Sequence, residues 1–99
     1  MAAAERAEKS ADYTNVSQQN LLAVVEAMAR TWPLPQSTQA LAQSAGVSRD
    51  QAFRCAWNLQ AGGWADQGPE GWLLSPHLAE LSNRMRLALA DLHRRYLSA

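Results

Sequence analysis

A three-residue break at positions 46–48 separates two segments that both favour helix. Gly46 directly follows an Ala- and Leu-rich stretch, and glycine is the usual residue in the left-handed conformation that ends a helix. Ser48 and Gln51 form the S-x-x-Q pattern of a capping box, which starts a new helix. A helix that ends so close to the start of the next cannot continue in line with it. The sequence therefore predicts two helices joined by a tight turn.

Composition indicates that helix dominates the rest of the chain. There is no Ile and there are only four Val, whereas Ala and Leu supply most of the apolar content. Ala and Leu are strong helix formers, and the β-branched residues that favour strands are scarce. The 99 residues are 47% hydrophobic and contain one cysteine. These values predict one small domain without an internal disulfide, as suits a reducing cytoplasm.

Further helices and one hairpin follow from local signals. Ser17 is predicted to cap the first helix, and Trp32-Pro33 to end it, because proline disfavours helix in the preceding residue. Its predicted apolar face comprises Leu21, Leu22, Val24, Val25 and Met28. The second helix starts at Ser37 or Thr38 and buries Leu41, Ala42 and Ala45. The third buries Ala52, Cys55, Ala56 and Leu59.

After the third helix, the apolar residues no longer follow helical spacing. Trp64-Ala65-Asp66 and Gly71-Trp72-Leu73-Leu74 flank a Gly-Pro turn, which predicts a hairpin. Ser75-Pro76 opens a last, long helix. We therefore expect a flexible tail over 1–16, a folded unit over 17–76 and an amphipathic helix over 77–99. Large aromatic residues beside turns usually close a small core, and here these are Trp32, Trp64 and Trp72.

This order resembles the winged helix-turn-helix DNA-binding domain of the IclR family of bacterial transcription regulators. The resemblance covers about residues 17–82. The matching positions are Leu41-Ala42-Gln43-Ser44-Ala45-Gly46-Val47-Ser48-Arg49, Arg54, Leu59, Gly63-Trp64 and Gly71-Trp72-Leu73-Leu74-Ser75-Pro76. The resemblance implies a mainly α fold, in which a three-helix core carries a short β-hairpin wing and the third helix reads duplex DNA.

Candidate DNA-binding residues lie on the third helix. They are Ser48, Arg49, Asp50, Gln51, Phe53, Arg54 and Asn58. Arg49 and Gln51 are the expected base-reading residues, because arginine pairs with guanine and glutamine with adenine. Arg54 is the expected phosphate contact, and Phe53 suits a thymine methyl group. Trp57 lies off the predicted buried stripe, so its side chain could contact the wing, a protein partner or DNA.

The charge pattern leaves a second function open. Nine basic residues balance nine acidic ones, and the unit 17–76 has three arginines against four acids. Two of those acids, Asp66 and Glu70, lie in the wing, which has no basic residue. DNA-binding modules usually show a basic patch. The alternative is therefore a protein-interaction adaptor on the same scaffold that has lost DNA binding and presents Phe53 and Trp57 to a partner.

The last helix carries the opposite balance, with four arginines against two acids over 77–99. Its stripe approximates a heptad seam and predicts a dimerisation helix. The residues of this stripe are Leu78, Leu81, Met85, Leu92 and Tyr96. A two-fold protein matches a two-fold operator, so dimerisation and DNA reading support each other.

Other functional classes find no pattern in this sequence. His77 and His93 lack a third metal ligand at useful spacing, and no catalytic constellation or phosphate loop is present. No apolar run is long enough to span a membrane, and the N-terminus does not resemble a signal peptide. We expect a small bacterial or phage regulator acting in the cytoplasm as a homodimer by operator occupancy. It would have no enzymatic activity, cofactor, metal or small-molecule effector domain.

Overall fold

The computed structural model describes residues 13–97, so most of the predicted tail over 1–16 lies outside the described residues. The described chain is mainly helical, with one antiparallel two-stranded hairpin and a long C-terminal helix, as predicted. Its elements are α1 (Val16–Thr31), α2 (Thr38–Ala45), α3 (Arg49–Ala61), β1 (Ala65–Gly68), β2 (Gly71–Leu74) and α4 (Pro76–Leu97).

The start of α1 differs from the prediction. Asn15, rather than Ser17, caps the helix, and its side-chain oxygen accepts a hydrogen bond from the Gln18 amide at 3.2 Å. Asparagine is at least as good a cap as serine, and the earlier start adds two residues to the helix. Ser17 is thereby left inside the first turn, with its side chain free to line a surface groove.

The turn between α2 and α3 forms as the sequence predicts. Ser37 caps α2, and Gly46 ends it in the left-handed conformation at φ 72°. In the capping box of α3, the Ser48 hydroxyl accepts from the Gln51 amide at 3.1 Å. In return, the Ser48 amide donates to Gln51 Oε1 at 2.9 Å. Local residues thus close both helix ends, and the turn between them redirects the chain into α3.

The hairpin is tied to the segment between α1 and α2. Within the hairpin, Ala65 pairs with Leu74 and Gly68 pairs with Gly71. Gln36 and Trp72 also exchange two backbone hydrogen bonds, of 2.7 and 2.9 Å, on the outer edge of β2. Gly71 lies at φ 133°, and a Cβ there would overlap the Gln36 carbonyl. Glycine is thus required where the two backbones approach.

The core lies where α1, α2, α3 and the hairpin meet. Its buried residues are Val24, Ala27, Met28, Leu41, Ala42, Ala52, Cys55, Ala56, Leu59, Ala65, Trp72 and Leu74. Trp72 is the largest of them, and its indole nitrogen donates to Thr38 Oγ1 at 3.1 Å. The predicted inner face of α3 is therefore confirmed, and α2 buries Leu41 and Ala42 as expected. Ala45 is partly buried against the same core.

Two of the three tryptophans predicted to be in the core are not there. Trp32 is 45% exposed and Trp64 is 40% exposed, because the small three-helix core is already filled by Trp72. Trp32 instead lies across β2 and donates from its indole nitrogen to the Leu74 carbonyl at 2.9 Å. Leu22 is also exposed, since it lies about 200° around α1 from Val24.

Helix α4 extends away from this core. None of its residues is buried, and Leu78 is the part of it that packs against the core. Over residues 13–97, no helix combines the length and apolar character needed to cross a membrane.

Candidate nucleic-acid interface

The outer face of α3 carries the candidate DNA-binding side chains. Ala52, Cys55, Ala56 and Leu59 turn the opposite face into the core. The remaining positions of the helix consequently face solvent. The predicted residues that the structure brings together on this exposed helix are Arg49, Asp50, Gln51, Phe53, Arg54 and Asn58. Ser48 lies at its N-terminus as the cap rather than on this face.

Arg54, the predicted phosphate contact, forms an ion pair within the helix. Its Nε lies 3.0 Å from Asp50 Oδ2, and both side chains are largely exposed. Exposed pairs at this i,i+4 spacing stabilise a helix by only about 0.3–0.5 kcal/mol. The pair therefore adds little to the fold, but it compensates the charge of Arg54 at the candidate interface.

Gln51 takes part in the capping box of α3, which limits the contacts it can make with bases. Its Oε1 accepts the Ser48 amide in the capping box, so the side-chain amide nitrogen is the group without a partner in the helix. The bidentate contact to adenine needs both a donor and an acceptor. Because the oxygen is turned towards the cap, this conformation favours donation from the amide nitrogen, which suits an acceptor such as guanine O6 or N7. Asn58 is also engaged, because its Nδ2 donates to the Arg54 carbonyl at 2.8 Å.

Arg30, the third arginine of the folded unit, holds two helices together. Its Nη1 donates to the Ser44 hydroxyl at 2.8 Å and to the Ser44 carbonyl at 3.2 Å. These bonds join α1 to the C-terminal end of α2. No local pattern relates two residues that are 14 positions apart, so the sequence did not reveal this contact. The remaining arginine of the folded unit, Arg49, is exposed on α3, and the structure shows no structural role of this kind for it.

An aromatic cluster joins α3 to the hairpin. The rings of Phe53 and Trp57 stack with centroids 6.1 Å apart, and Phe53 meets Trp72 edge-on at 6.0 Å. Trp57 remains 54% exposed. Phe53 and Trp57 are four residues apart on a helix, so their contact follows from the helical period. The contact with Trp72 depends on the tertiary fold and was not predicted.

A groove lies between the start of α1 and α3. It has a volume of about 600 Å³ and is lined by Ser17, Gln18, Asn20, Leu21, Asp50, Gln51, Arg54, Cys55 and Asn58. Burial raises the pKa of the Cys55 thiol, so the neutral form dominates at physiological pH. In residues 13–97, no three His, Cys, Asp or Glu side chains are grouped closely enough to hold a metal ion.

The side chains predicted for dimerisation form an apolar surface on α4. Leu78 and Leu81 are half-buried, whereas Met85, Leu92 and Tyr96 are exposed. Two residues missed from the sequence, Trp64 and Leu89, extend this surface. The shallow groove along it is lined by Trp64, Leu78, Leu81, Ser82, Met85, Arg86, Ala88, Leu89 and Leu92.

No protein-family model matches the chain. No curated protein is similar to it at a significant level.

Proposed function

We propose that this protein binds duplex DNA sequence-specifically and regulates transcription by occupying an operator as a dimer. In this proposal the fold is a winged helix-turn-helix like that of the IclR family, in which α3 is the recognition helix and the β1–β2 hairpin is the wing. The observation that carries the proposal is the outer face of α3. A helix held by a tight Gly46 turn and a capping box presents Arg49, Gln51 and Arg54 away from the core.

The proposed reading mechanism uses the first two turns of α3. Recognition helices contact base edges with residues near their N-terminus, which suits Arg49 and Gln51. Arg49 pairs with guanine, and the free amide nitrogen of Gln51 donates to a neighbouring base acceptor. Arg54 exchanges its ion pair with Asp50 for a backbone phosphate. A phosphate contact of this kind sets register rather than base preference.

Because the wing is acidic, the further positive charge that attracts DNA in this proposal comes from α4. Asp66 and Glu70 are exposed on the hairpin, whereas α4 carries four arginines against two acids. A dimer through α4 doubles the number of phosphate contacts and matches a two-fold operator. The proposed setting is the cytoplasm of a bacterial or phage-infected cell.

Selection from a pool of random duplexes tests this function. We expect an enriched two-fold motif, which Arg49→Ala loosens at one position of each half-site. Arg54→Ala should instead weaken binding to all duplexes by a similar factor. Affinity should fall with salt, with a logarithmic slope of about −0.9 for each phosphate contacted. A selection that enriches no motif would contradict sequence-specific binding.

The second candidate function is a protein-interaction adaptor. The exposed stack of Phe53 and Trp57 favours it, because aromatic side chains are enriched at the centres of protein interfaces. An adaptor would shift no duplex even at low salt, and its binding to a protein partner would depend only weakly on salt. Trp57→Ala would then abolish partner binding, whereas Arg49→Ala would leave it intact.

A further inference from the structure

Beyond its first two turns, where Leu78 packs against the core, the apolar face of α4 has no cover within the described chain. No residue from Pro76 to Leu97 is buried, and Met85 is 73% exposed at the middle of the helix. We define the α4 stripe as Leu78, Leu81, Met85, Ala88, Leu89, Leu92 and Tyr96, which recur at helical spacing over five turns. A contiguous apolar surface of this kind on a small protein marks an interaction site.

We propose that α4 of a second copy covers the α4 stripe and runs antiparallel to it. This inference rests on the dimer in the proposed function and specifies its geometry. A stripe that runs nearly the whole length of a straight helix is best covered by another helix of equal length. The same stripe on the second copy supplies that helix, so the pairing needs no other partner.

The charges of α4 select the antiparallel direction. Within one chain Asp91 pairs with Arg94 and Arg95, at 3.4 and 3.1 Å, so the last turns of α4 hold two arginines against one carboxylate. A parallel pair would bring this positive excess of both copies together at one end, whereas an antiparallel pair keeps the two C-terminal ends apart. When Leu81 shares a layer with the partner's Leu92, Arg84 lies beside the partner's Asp91 on the flank, a carboxylate that also pairs with arginines of its own helix. This attractive contact occurs twice in the antiparallel dimer and is absent from the parallel one.

The sizes of the stripe residues favour the same direction. In this alignment Met85 lies opposite the partner's Ala88, so a large side chain meets a small one in each of the two central layers. A parallel pair would instead place the two alanines opposite each other and leave a gap. At the end of the stripe, the half-exposed Trp64 is covered by the partner's last turn, which carries Tyr96.

The antiparallel pair also has a dimension that suits DNA. The 22 residues of α4 span about 33 Å, so the N-terminal ends of the two helices lie about that distance apart. Each end carries one folded unit with its α3. This helix length is of the same order as one turn of B-DNA, about 34 Å, which separates the half-sites of two-fold helix-turn-helix proteins.

Disulfide crosslinking tests the direction. Cys55 is the single cysteine, so a Cys55→Ala background carries only introduced thiols. We expect a mixture of Leu81→Cys and Leu92→Cys chains to form a mixed disulfide at least about tenfold faster than either variant crosslinks to itself. Bridged residues need Cα atoms within about 7 Å, which in the antiparallel pair holds only for the mixture. Faster self-crosslinking of the single variants would overturn the antiparallel direction.

A matched pair of substitutions tests whether the stripe forms the dimer at all. Met85 lies on the stripe, and Leu87, 59% exposed, lies about 200° around the helix from it. Met85→Asp should convert the dimer to monomer in sedimentation velocity, whereas Leu87→Asp should leave it dimeric. Circular dichroism should show a folded, helical protein for both variants, since neither side chain is buried within its own chain. A weak dimer has a dissociation constant of roughly 50 µM. A wild-type chain that sediments as a monomer at about that concentration would overturn the proposal.

The two proposals can fail separately. A motif enriched by a monomeric chain would support DNA binding and contradict the α4 dimer. An antiparallel crosslink in a protein that enriches no motif would support the dimer and contradict DNA reading.

Discussion

Arg54 Nε lies 3.0 Å from Asp50 Oδ2 on the exposed face of α3, so the arginine proposed to contact phosphate is already paired within its own helix. Arg30 is engaged with Ser44, and the hairpin contributes only acids. The folded unit thus presents one unengaged arginine on α3, Arg49. The proposed phosphate contact of Arg54 therefore requires that this internal ion pair be exchanged for a phosphate.

Removing the carboxylate should strengthen that exchange. We expect Asp50→Asn to raise duplex affinity several-fold, because Arg54 no longer has an ion pair to give up. The logarithmic salt slope should stay close to that of the wild type, since Arg54 contacts the same phosphate in both proteins. Fluorescence anisotropy across a salt series measures both quantities. Glu26→Gln, which removes an equal charge from the exposed surface of α1, is the control and should change the affinity much less. An affinity of Asp50→Asn no higher than that of Glu26→Gln would contradict a phosphate contact by Arg54.

Substitutions at Gln51 should separate base reading from helix capping. Gln51→Ala loses the hydrogen bond to the Ser48 amide and should lower the free energy of unfolding by about 1 kcal/mol. Gln51→Glu keeps the acceptor and the capping box, so its stability in urea denaturation should match the wild type. Both variants lose the amide donor. A base preference that changes in Gln51→Ala alone would assign Gln51 a capping role only.

Gly71 should tolerate no side chain. Its φ of 133° is strained for any other residue, and a Cβ there would overlap the Gln36 carbonyl. We expect Gly71→Ala to lower the free energy of unfolding by about 3 kcal/mol, the upper part of the range for one strained residue. Gly62→Ala is the matched control, because Gly62 is in a right-handed helical conformation and its Cβ would make only ordinary contacts. Equal melting temperatures for the two variants would contradict this role of Gly71.

Stability should decline in alkaline solution because of Cys55. Burial raises the pKa of its thiol, so the folded state holds this proton more tightly than the unfolded chain does. The stabilisation is complete below the pKa of the unfolded thiol, about 8.5, and is lost as the pH rises towards the folded value. We would measure urea denaturation of the wild type and Cys55→Ala from about pH 7 to about pH 10, a range that brackets the reference thiol pKa of about 8.5. The free energy of unfolding should decline more steeply with pH in the wild type. Parallel declines would show that Cys55 does not contribute.

Local sequence signals predicted much of the fold. Gly46, Ser48 and Gln51 act on residues within four positions of themselves, so their effect does not depend on the rest of the chain. The inner face of α3 was also predictable, because the helical period alone decides which of its residues share a side. The candidate site on the opposite face follows from the same period. The ion pair between Asp50 and Arg54 has the i,i+4 spacing that helices favour.

The tertiary structure decided which tryptophan occupies the limited space of the core and which residues distant in sequence form hydrogen bonds. Trp32, Trp64 and Trp72 have similar local signals, yet only Trp72 fits the core, and its place is set by Gln36 and Thr38. The contact of Arg30 with Ser44 and the groove beside Ser17 likewise join residues that are far apart in sequence. Sequence alone therefore determined the helices and the turn that directs α3. Packing determined which arginines and aromatic rings remain exposed for a partner, because enclosure and long-range hydrogen bonds depend on the whole fold.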